Sequence, residues 1–559
     1  MKIQPRFSRD LVNFSRTTGV YKDVFSYVKP TARYLLPILL PLLLCGCVGR
    51  LGLVDLVDAD TAVGSRKAVV FFVDGINGKV YQELLAEGKL PNIDKYLLRR
   101  GCRVVNAVTV IPSITYAVTT SIATGQTTGS HGILGNKFFD RRQRVFADFG
   151  KVATYRDLDN RFAAPTIYEI LSEKFSLVIQ TPLTRGAYHR IDNSNESGTC
   201  WFLGLFESVD RWTSRRFKMV GQIARKSQRW PELLFAYFPA TDEIGHRWGP
   251  NAQRYRESLV NVDEQIGRIC KALEHNHLLK TTCLLLITDH GMVDCPAPNT
   301  LDLVEFLREN FDFKIALKGP NWKKKYSDRA QYCRRFNAVF MEGGGRRANF
   351  YLKNGSDWSK MATPEQIRPV ADALVALPGV DIVAYRKNKG VIVLTNAGRG
   401  RIDCQLDIRR RSVDEKLYRY QVIDGKDPLG YDSHSRAGIL LDGTFHKGRE
   451  WLEQTVQTEY PDLPVQMLEM FRSHRAGDLV IFAAPGWDFD PHNVGGHGGV
   501  SAEEMLIPMV MAGPGIKADN SVPTARIVDV APTLIEMIDD RKLKEYRFDG
   551  ESLLKQMRE

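Results

Sequence analysis

The hydrophobic pattern first organises itself at Lys67–Val73 (Lys-Ala-Val-Val-Phe-Phe-Val), a continuous apolar run that stops at Asp74-Gly75. A short run of this kind reads as a strand buried on both faces. Apolar positions then fall at helical spacing over Lys79–Glu87 and Ile93–Arg100, and a strand is expected near Val104–Val110. The alternation recurs. Leu177–Gln180, Leu233–Phe238 and Cys283–Thr288 read as buried strands, with a long amphipathic helix, Arg254–Leu273, between the last two. Leu479–Ala484 and Ile507–Ala512 read as late strands, and Ile527–Ile538 as a closing helix. Strands alternating with helices predict an α/β fold whose largely parallel sheet is covered on both faces.

Acidic residues stand where three of these runs end: Asp74 after the first, Asp242 after Leu233–Phe238, and Asp289 after Cys283–Thr288. Ligands of open α/β sheets bind outside the carboxyl ends of the strands. The pattern alone therefore brings three carboxylates to one edge of one sheet.

The middle of the chain breaks the rhythm. Residues 311–475 carry Gly343-Gly344-Gly345, the basic runs Lys323–Lys325 and Arg409–Arg411, and short strand-like stretches at Ala348–Leu352 and Val391–Leu394. They are expected to form a small basic α+β insertion between core segments 67–310 and 476–559. Its basic excess suits either a solvated domain or a platform attracting an anionic substrate or membrane surface.

The N-terminus follows another logic. Residues 1–33 hold seven Lys/Arg and two acids, residues 34–46 hold no charge, and Leu44-Cys45-Gly46-Cys47 has the form of a bacterial lipobox. The apolar run is shorter than the ~18 residues of a spanning helix and contains Pro37 and Pro41. Residues 1–47 are expected to be a signal peptide with Cys47 as the lipidated residue, and 48–66 a tether. The chain is then an exported bacterial lipoprotein, periplasmic or at the cell surface. The nine cysteines form no CxxC pair, which excludes a zinc knuckle and a thioredoxin-like site; disulfide pairing stays open.

Chemistry-bearing residues concentrate in a few segments: Asp74-Gly75; Pro112-Ser113-Ile114-Thr115; Thr124-Gly125; Ser130-His131-Gly132-Ile133; Asp242-x-x-x-His246; Asp289-His290-Gly291-Met292; and Gly496-His497-Gly498. Singly, each has a structural explanation as a turn, cap or loop residue. In this order, the set resembles the type I phosphodiesterase/nucleotide pyrophosphatase branch of the alkaline phosphatase superfamily, and Val530–Thr533 and Asp549–Leu553 resemble its closing helix and end. The resemblance covers about 67–310 and 476–559 and leaves the insertion aside.

The resemblance implies an alkaline-phosphatase-like three-layer αβα core and two zinc ions. One ion would be held by Asp242, His246 and His497, the other by Asp74, Asp289 and His290 with the Thr115 oxygen. Imidazole and carboxylate suit zinc, with Mn²⁺ an alternative. It implies hydrolysis of phosphodiesters or pyrophosphates, with Thr115 as nucleophile and a phosphothreonine intermediate. The substrate is then an anionic phosphate ester, and the membrane is reached through the lipid anchor. Specific nucleic-acid binding has no aromatic–basic pattern behind it.

One departure bears on the substrate. The family's diesterases usually place Phe-Pro-Asn after the nucleophile, and this chain has Tyr116-Ala117-Val118. Thr119, Thr120 and Asn136 are candidates to hold the phosphate instead, and Tyr116 is a candidate wall for a leaving group. The context of Thr115 lacks the Cys/Ser-x-Pro-x-Arg segment of the sister sulfatases. Phosphomonoesterase activity at the same site stays open, as does phosphoryl-group transfer, although transferases of the superfamily usually carry several spanning helices.

Overall fold

The computed structural model describes residues 66–150, 154–192, 194–296, 299–317, 333–405 and 412–559. The expected signal peptide, the lipobox with Cys47, the tether up to residue 65 and the basic runs at 323–325 and 409–411 lie outside the described residues. Among the described residues, no helix is long and apolar enough to cross a membrane. Among the described residues, Cys102, Cys270, Cys283, Cys295 and Cys333 are free thiols.

Lys67–Val73 is a strand with every residue buried. It pairs in parallel with Leu233–Phe238 on one side and Thr282–Thr288 on the other. The order across this sheet is Asn520–Arg526, Gly101–Val108, Leu506–Ala512, Thr282–Thr288, Lys67–Val73, Leu233–Phe238, Ser176–Ile179 and His189–Ile191. Only Leu506–Ala512 runs antiparallel to its neighbours. Side chains of a strand alternate between faces, and the first strand shows the result. Val70 and Phe72 pack with Val118, Ile122, Leu534 and Ile535 on one face. Val69, Phe71 and Val73 pack with Val80, Leu84, Leu259 and Ile266 on the other. This is the expected three-layer α/β core.

Among the described residues, the middle of the chain builds a second sheet of nine strands, mostly antiparallel, far more than the short stretches legible in the sequence. Two expected boundaries need correction. Leu479–Ala483, assigned by pattern to the core, is an interior strand of this second sheet, antiparallel to Arg347–Leu352 and Val380–Lys387. The helix Leu303–Asn310, also placed in the core, packs Leu303 and Leu307 on the second sheet. A fully buried apolar run reads alike in either sheet, because periodicity reports burial and not pairing partner. The Leu479–Ala483 strand therefore ties the returning chain into the inserted sheet before the chain re-enters the core.

Candidate metal centre and nucleophile

Asp74, Asp242, Asp289 and His290 sit just beyond the ends of strands of the first sheet. Asp74 follows the first strand, and its backbone N–H donates to Phe238 O at 3.0 Å. Gly75 adopts φ +67°, and a Cβ there would meet Asp242 at 3.0 Å, so this turn needs glycine to bring Asp74 up against its neighbour. Asp242 lies in the first turn of the helix Ala240–Trp248, which begins as soon as the Leu233–Phe238 strand ends. Four residues on, His246 occupies the same helix face, with Nε2 at 3.5 Å from Asp242 Oδ1. Asp289 and His290 follow the Thr282–Thr288 strand. His497 comes from the distant Gly495–Gly499 loop.

The six side chains converge as two adjoining groups. His497 Nε2 lies 3.5 Å from Asp242 Oδ1 and 3.1 Å from His246 Nε2. His290 Nε2 lies 3.4 Å from Asp74 Oδ1, 3.3 Å from Asp289 Oδ2 and 3.5 Å from Thr115 Oγ1. His290 also closes a group with Asp242 and His497, so it stands at the junction between the two.

The outward atoms of these residues are held, and three inward carboxylate oxygens have no hydrogen-bond partner. Each imidazole Nδ1 is 2.9 Å from a backbone carbonyl: Gly495 for His246, Gly291 for His290, and Ser113 for His497. Donation from Nδ1 leaves the Nε2 lone pair facing the cluster. Asp289 Oδ1 accepts from the N–H groups of Gly75 and His290, and Asp74 Oδ2 accepts from the Tyr237 hydroxyl. In contrast, Asp74 Oδ1, Asp242 Oδ1 and Asp289 Oδ2 are buried without a hydrogen-bond partner. Buried polar atoms are almost always satisfied. Three carboxylate oxygens without a partner, set in one cluster with three imidazole nitrogens, make a candidate donor set for a cation.

Electrostatics agree. Burial, reinforced by the neighbouring carboxylates, pushes Asp74 well above the usual carboxylate range, and burial raises Asp242 to about 7. Burial lowers His290 to about 3, and burial with the adjacent His290 and His246 holds His497 well below its ordinary value. The imidazoles of His290 and His497 are thus held neutral, whereas His246, despite its burial, is raised by the Asp242 carboxylate beside it; the other carboxylates lack the positive charge that would make ionisation favourable.

Thr115 is the first residue of the helix Thr115–Thr124, preceded by Ile114, whose side chain makes no capping bond. The helix N-terminus therefore carries no cap from Ile114 itself. Asn136 Oδ1 accepts from the Tyr116 N–H at 3.3 Å, which places this side chain at the mouth of the helix. Thr119 Oγ1 is buried without a partner one turn beyond Thr115, whereas Thr120 Oγ1 is spent on Tyr116 O at 2.7 Å. The Tyr116 ring is half-buried and packs against Phe149, 5.7 Å between centroids. His131, from the Ser130–Ile133 segment, is outside the cluster: its Nε2 meets Ser121 Oγ at 2.9 Å, and its Nδ1 accepts from the Ile133 N–H. Tyr237 had no signal in the sequence, because it alternates within a buried strand like any core residue.

Comparison with known proteins places this geometry. The model of the family "Type I phosphodiesterase / nucleotide pyrophosphatase" matches residues 68–390. An uncharacterized pyrophosphatase/phosphodiesterase of Schizosaccharomyces pombe is 25% identical over 267 residues, covering 47% of this chain and 51% of that protein. The bis(5'-adenosyl)-triphosphatase of Bos taurus is 24% identical over 280 residues, 48% of this chain and 55% of its own. The chain thus spans about half the length of these relatives. Among solved structures, an inactive variant of murine ectonucleotide pyrophosphatase/phosphodiesterase 5 in complex with AMP superposes with a TM-score of 0.54 at 16% identity, over 89% of this chain and 99% of that one. The likeness extends to the alkaline-phosphatase-like α/β fold.

Proposed function

We propose that this chain, which belongs to the type I phosphodiesterase / nucleotide pyrophosphatase family, hydrolyses phosphodiester or pyrophosphate bonds at a two-cation centre, with Thr115 as nucleophile. The observation that carries the reading is the set of bare oxygens of Asp74, Asp242 and Asp289, buried among three imidazole nitrogens and beside the Thr115 hydroxyl.

The residues fit two divalent cations. Asp242, His246 and His497 would hold one, and Asp74, Asp289 and His290, with Thr115 Oγ1, the other. Three carboxylates and three imidazoles favour zinc over magnesium or calcium, with Mn²⁺ the alternative. When bound, the cations supply Lewis-acid stabilisation of the charge building on the entering and leaving oxygens.

Thr115 attacks phosphorus, and its hydroxyl proton passes to the leaving oxygen. The Oγ1–P bond forms as the bond from phosphorus to that oxygen breaks, leaving a phosphothreonine. Water then attacks that phosphorus and returns Thr115 with its proton. The N-terminus of the Thr115–Thr124 helix favours the anionic phosphoryl group throughout. Asn136, whose Oδ1 accepts from the Tyr116 N–H and whose amide NH2 is a donor, and Thr119, one turn along the same helix, would donate to the non-bridging oxygens. Tyr116 on Phe149 offers a flat wall to a leaving group. Asp74, Asp289, His290 and His497 are buried, and Asp242 and His246 are the partly exposed members of the set.

Export of this domain on a lipid anchor at Cys47 belongs to the same proposal, supported by the basic and apolar order of the leader; radiolabelled fatty acid retained by the wild type and lost in Cys47→Ala tests it.

Turnover is tested with the zinc-loaded protein on bis-p-nitrophenyl phosphate and p-nitrophenyl phosphate. The diester is expected to be preferred, and Thr115→Ala to lower kcat by about three orders of magnitude or more without altering the melt. A strong preference for the monoester overturns the diesterase assignment, and substantial turnover by Thr115→Ala overturns the role of Thr115.

A further inference from the structure

We infer that Arg346 and Glu504 are positioning residues for the metal centre, through which the inserted sheet fixes the loops that carry His497 and His290. This inference rests on the two-cation reading above.

The strands Ala338–Glu342 and Arg347–Leu352 form a hairpin whose tip is Gly343–Arg346. The tip reaches into the site. A Cβ on Gly344 would stand 2.9 Å from Ile114, the residue before the nucleophile. A Cβ on Gly498 would stand 2.8 Å from Gly344 O, and one on Gly135 3.2 Å from Gly343 O. The hairpin tip therefore touches the segment before Thr115, the segment before Asn136 and the loop holding His497.

Arg346 anchors that contact. Its backbone N–H lies 3.3 Å from His497 O. The residue is 1% exposed, and every guanidinium donor has an acceptor. Nε donates to Glu504 Oε1 at 2.8 Å and Nη2 to Glu504 Oε2 at 3.4 Å and Ala483 O at 3.2 Å. Nη1 donates to Ala484 O at 3.0 Å and to Trp487 O. Two of these acceptors follow or close the Leu479–Ala483 strand of the second sheet, so the guanidinium is fastened on the side away from the His497 loop as well.

Glu504 completes the bridge. Oε1 also accepts from the Gly499 N–H at 2.7 Å, two residues beyond His497, and Oε2 from Ser501 Oγ at 2.8 Å. The Glu504 carbonyl accepts from the Gly291 N–H at 2.9 Å. Gly291 in turn supplies the carbonyl that holds His290 Nδ1. One residue thus reaches the supports of a histidine in each group.

A buried ion pair gives little stability over an apolar pair of the same volume. What it does give is direction: a planar fork with five donors fixes several loops in one orientation. A loop made largely of glycine, Gly495-Gly496-His497-Gly498-Gly499, has little of its own to set the His497 ring. The supports of metal ligands shift affinity when removed, typically by about 10–100-fold.

The test uses the full-length chain, stripped of metal and titrated with zinc by calorimetry. The key variant is Arg346→Met/Glu504→Met, which replaces the pair together and leaves no lone buried charge. The wild type is expected to show two sites. The double variant is expected to keep the metal-free melting behaviour of the wild type, to lose about 10–100-fold in zinc affinity at one or both sites, and to recover kcat in excess zinc. Arg346→Lys, which keeps the charge and loses the fork, is expected to fall between. Wild-type affinity at both sites in the double variant overturns the inference, and so does failure of the double variant to fold, because the pair then carries the fold and not the loops. A wild type that binds no zinc overturns the two-cation reading itself, which separates the two failures.

Discussion

The imidazole ring of His290 lies over that of His497, with 3.5 Å between centroids and 8° between planes. The two residues belong to different groups, so the stack is the shared wall of the two proposed cation sites. Both rings are fully buried, and two imidazolium ions could not share such a contact. The neutral rings instead turn their Nδ1 atoms to Gly291 O and Ser113 O and keep their Nε2 lone pairs inward. With the cations removed, the bare oxygens of Asp74, Asp242 and Asp289 are left without a counter-charge. Chelation is therefore expected to lower the melting temperature by several degrees and zinc to restore it. A ligand held only by the native state adds about 2.7 kcal/mol at a concentration 100 times its dissociation constant. Differential scanning fluorimetry with and without a chelator makes the check; identical melts would remove the case for buried cations.

Tyr237 donates its hydroxyl to Asp74 Oδ2 from the strand next to the one that ends at Asp74. This bond decides which Asp74 oxygen turns toward the cluster. Tyr237→Phe keeps the ring against Phe72 and removes only the donor. The lost hydrogen bond is worth about 1 kcal/mol of stability, and the freed carboxylate is expected to lower zinc affinity by about tenfold. Competition against a chromophoric chelator would measure it, and unchanged affinity would show that Asp74 is aimed by other contacts.

The three strand-end aspartates were legible in the sequence because two independent signals coincide at each: an apolar run that ends, and a carboxylate at its end. His246 was legible through its four-residue offset from Asp242. His497 was not legible by pattern, since it stands alone between glycines, and only the ordered motif set pointed to it. The second sheet was under-read for a different reason. Leu479–Ala483 carries the same apolar signature as a core strand, and pairing is decided by the topology of the intervening chain. Arg346 was equally hidden: a basic residue in a basic segment looks like a solvated surface, and only the fold shows the guanidinium buried with every donor satisfied. Thr119 and Asn136 were separated from Thr120 by coordinates alone, because hydroxyl direction is not a property of spacing.

Asp381, in the second sheet, gives a pH dependence remote from the cluster. Burial raises its carboxyl to about 6, although the Tyr460 hydroxyl donates to both of its oxygens, at 3.0 and 3.2 Å. An ordinary aspartate titrates near 3.9. The folded state therefore binds more protons than the unfolded state between these values, and stability falls as pH rises from about 4 to about 6. Above that window the charged form is a constant cost. Asp381→Asn keeps an acceptor for Tyr460 and removes the charge. It is expected to stabilise the protein by on the order of 1 kcal/mol at pH 8 and not at pH 4. Urea melts at the two pH values provide the check, and an equal effect at both would show that the carboxyl is not held protonated by the fold.

The hairpin tip yields a prediction that separates the nucleophile from the metals. Gly344 has φ +149°, and a Cβ there would lie 2.9 Å from the Ile114 side chain. Ile114 is fully buried and directly precedes Thr115, so it cannot move away without carrying the start of the Thr115–Thr124 helix with it. The three atoms nearest that Cβ all belong to Ile114, and the carboxylate and imidazole groups of the proposed cation sites come from other segments. Gly344→Ala is therefore expected to shift the hydroxyl while sparing the six side-chain ligands. Misplacement of a reacting group by about 1 Å costs roughly a hundredfold in rate, so kcat is expected to fall by about 10–100-fold while zinc content, measured by elemental analysis, stays at the wild-type value. If metal and activity are lost together, the tip supports the whole cluster and not the nucleophile in particular; if neither changes, Ile114 has room that the packing does not show, and the link between the inserted sheet and Thr115 is absent.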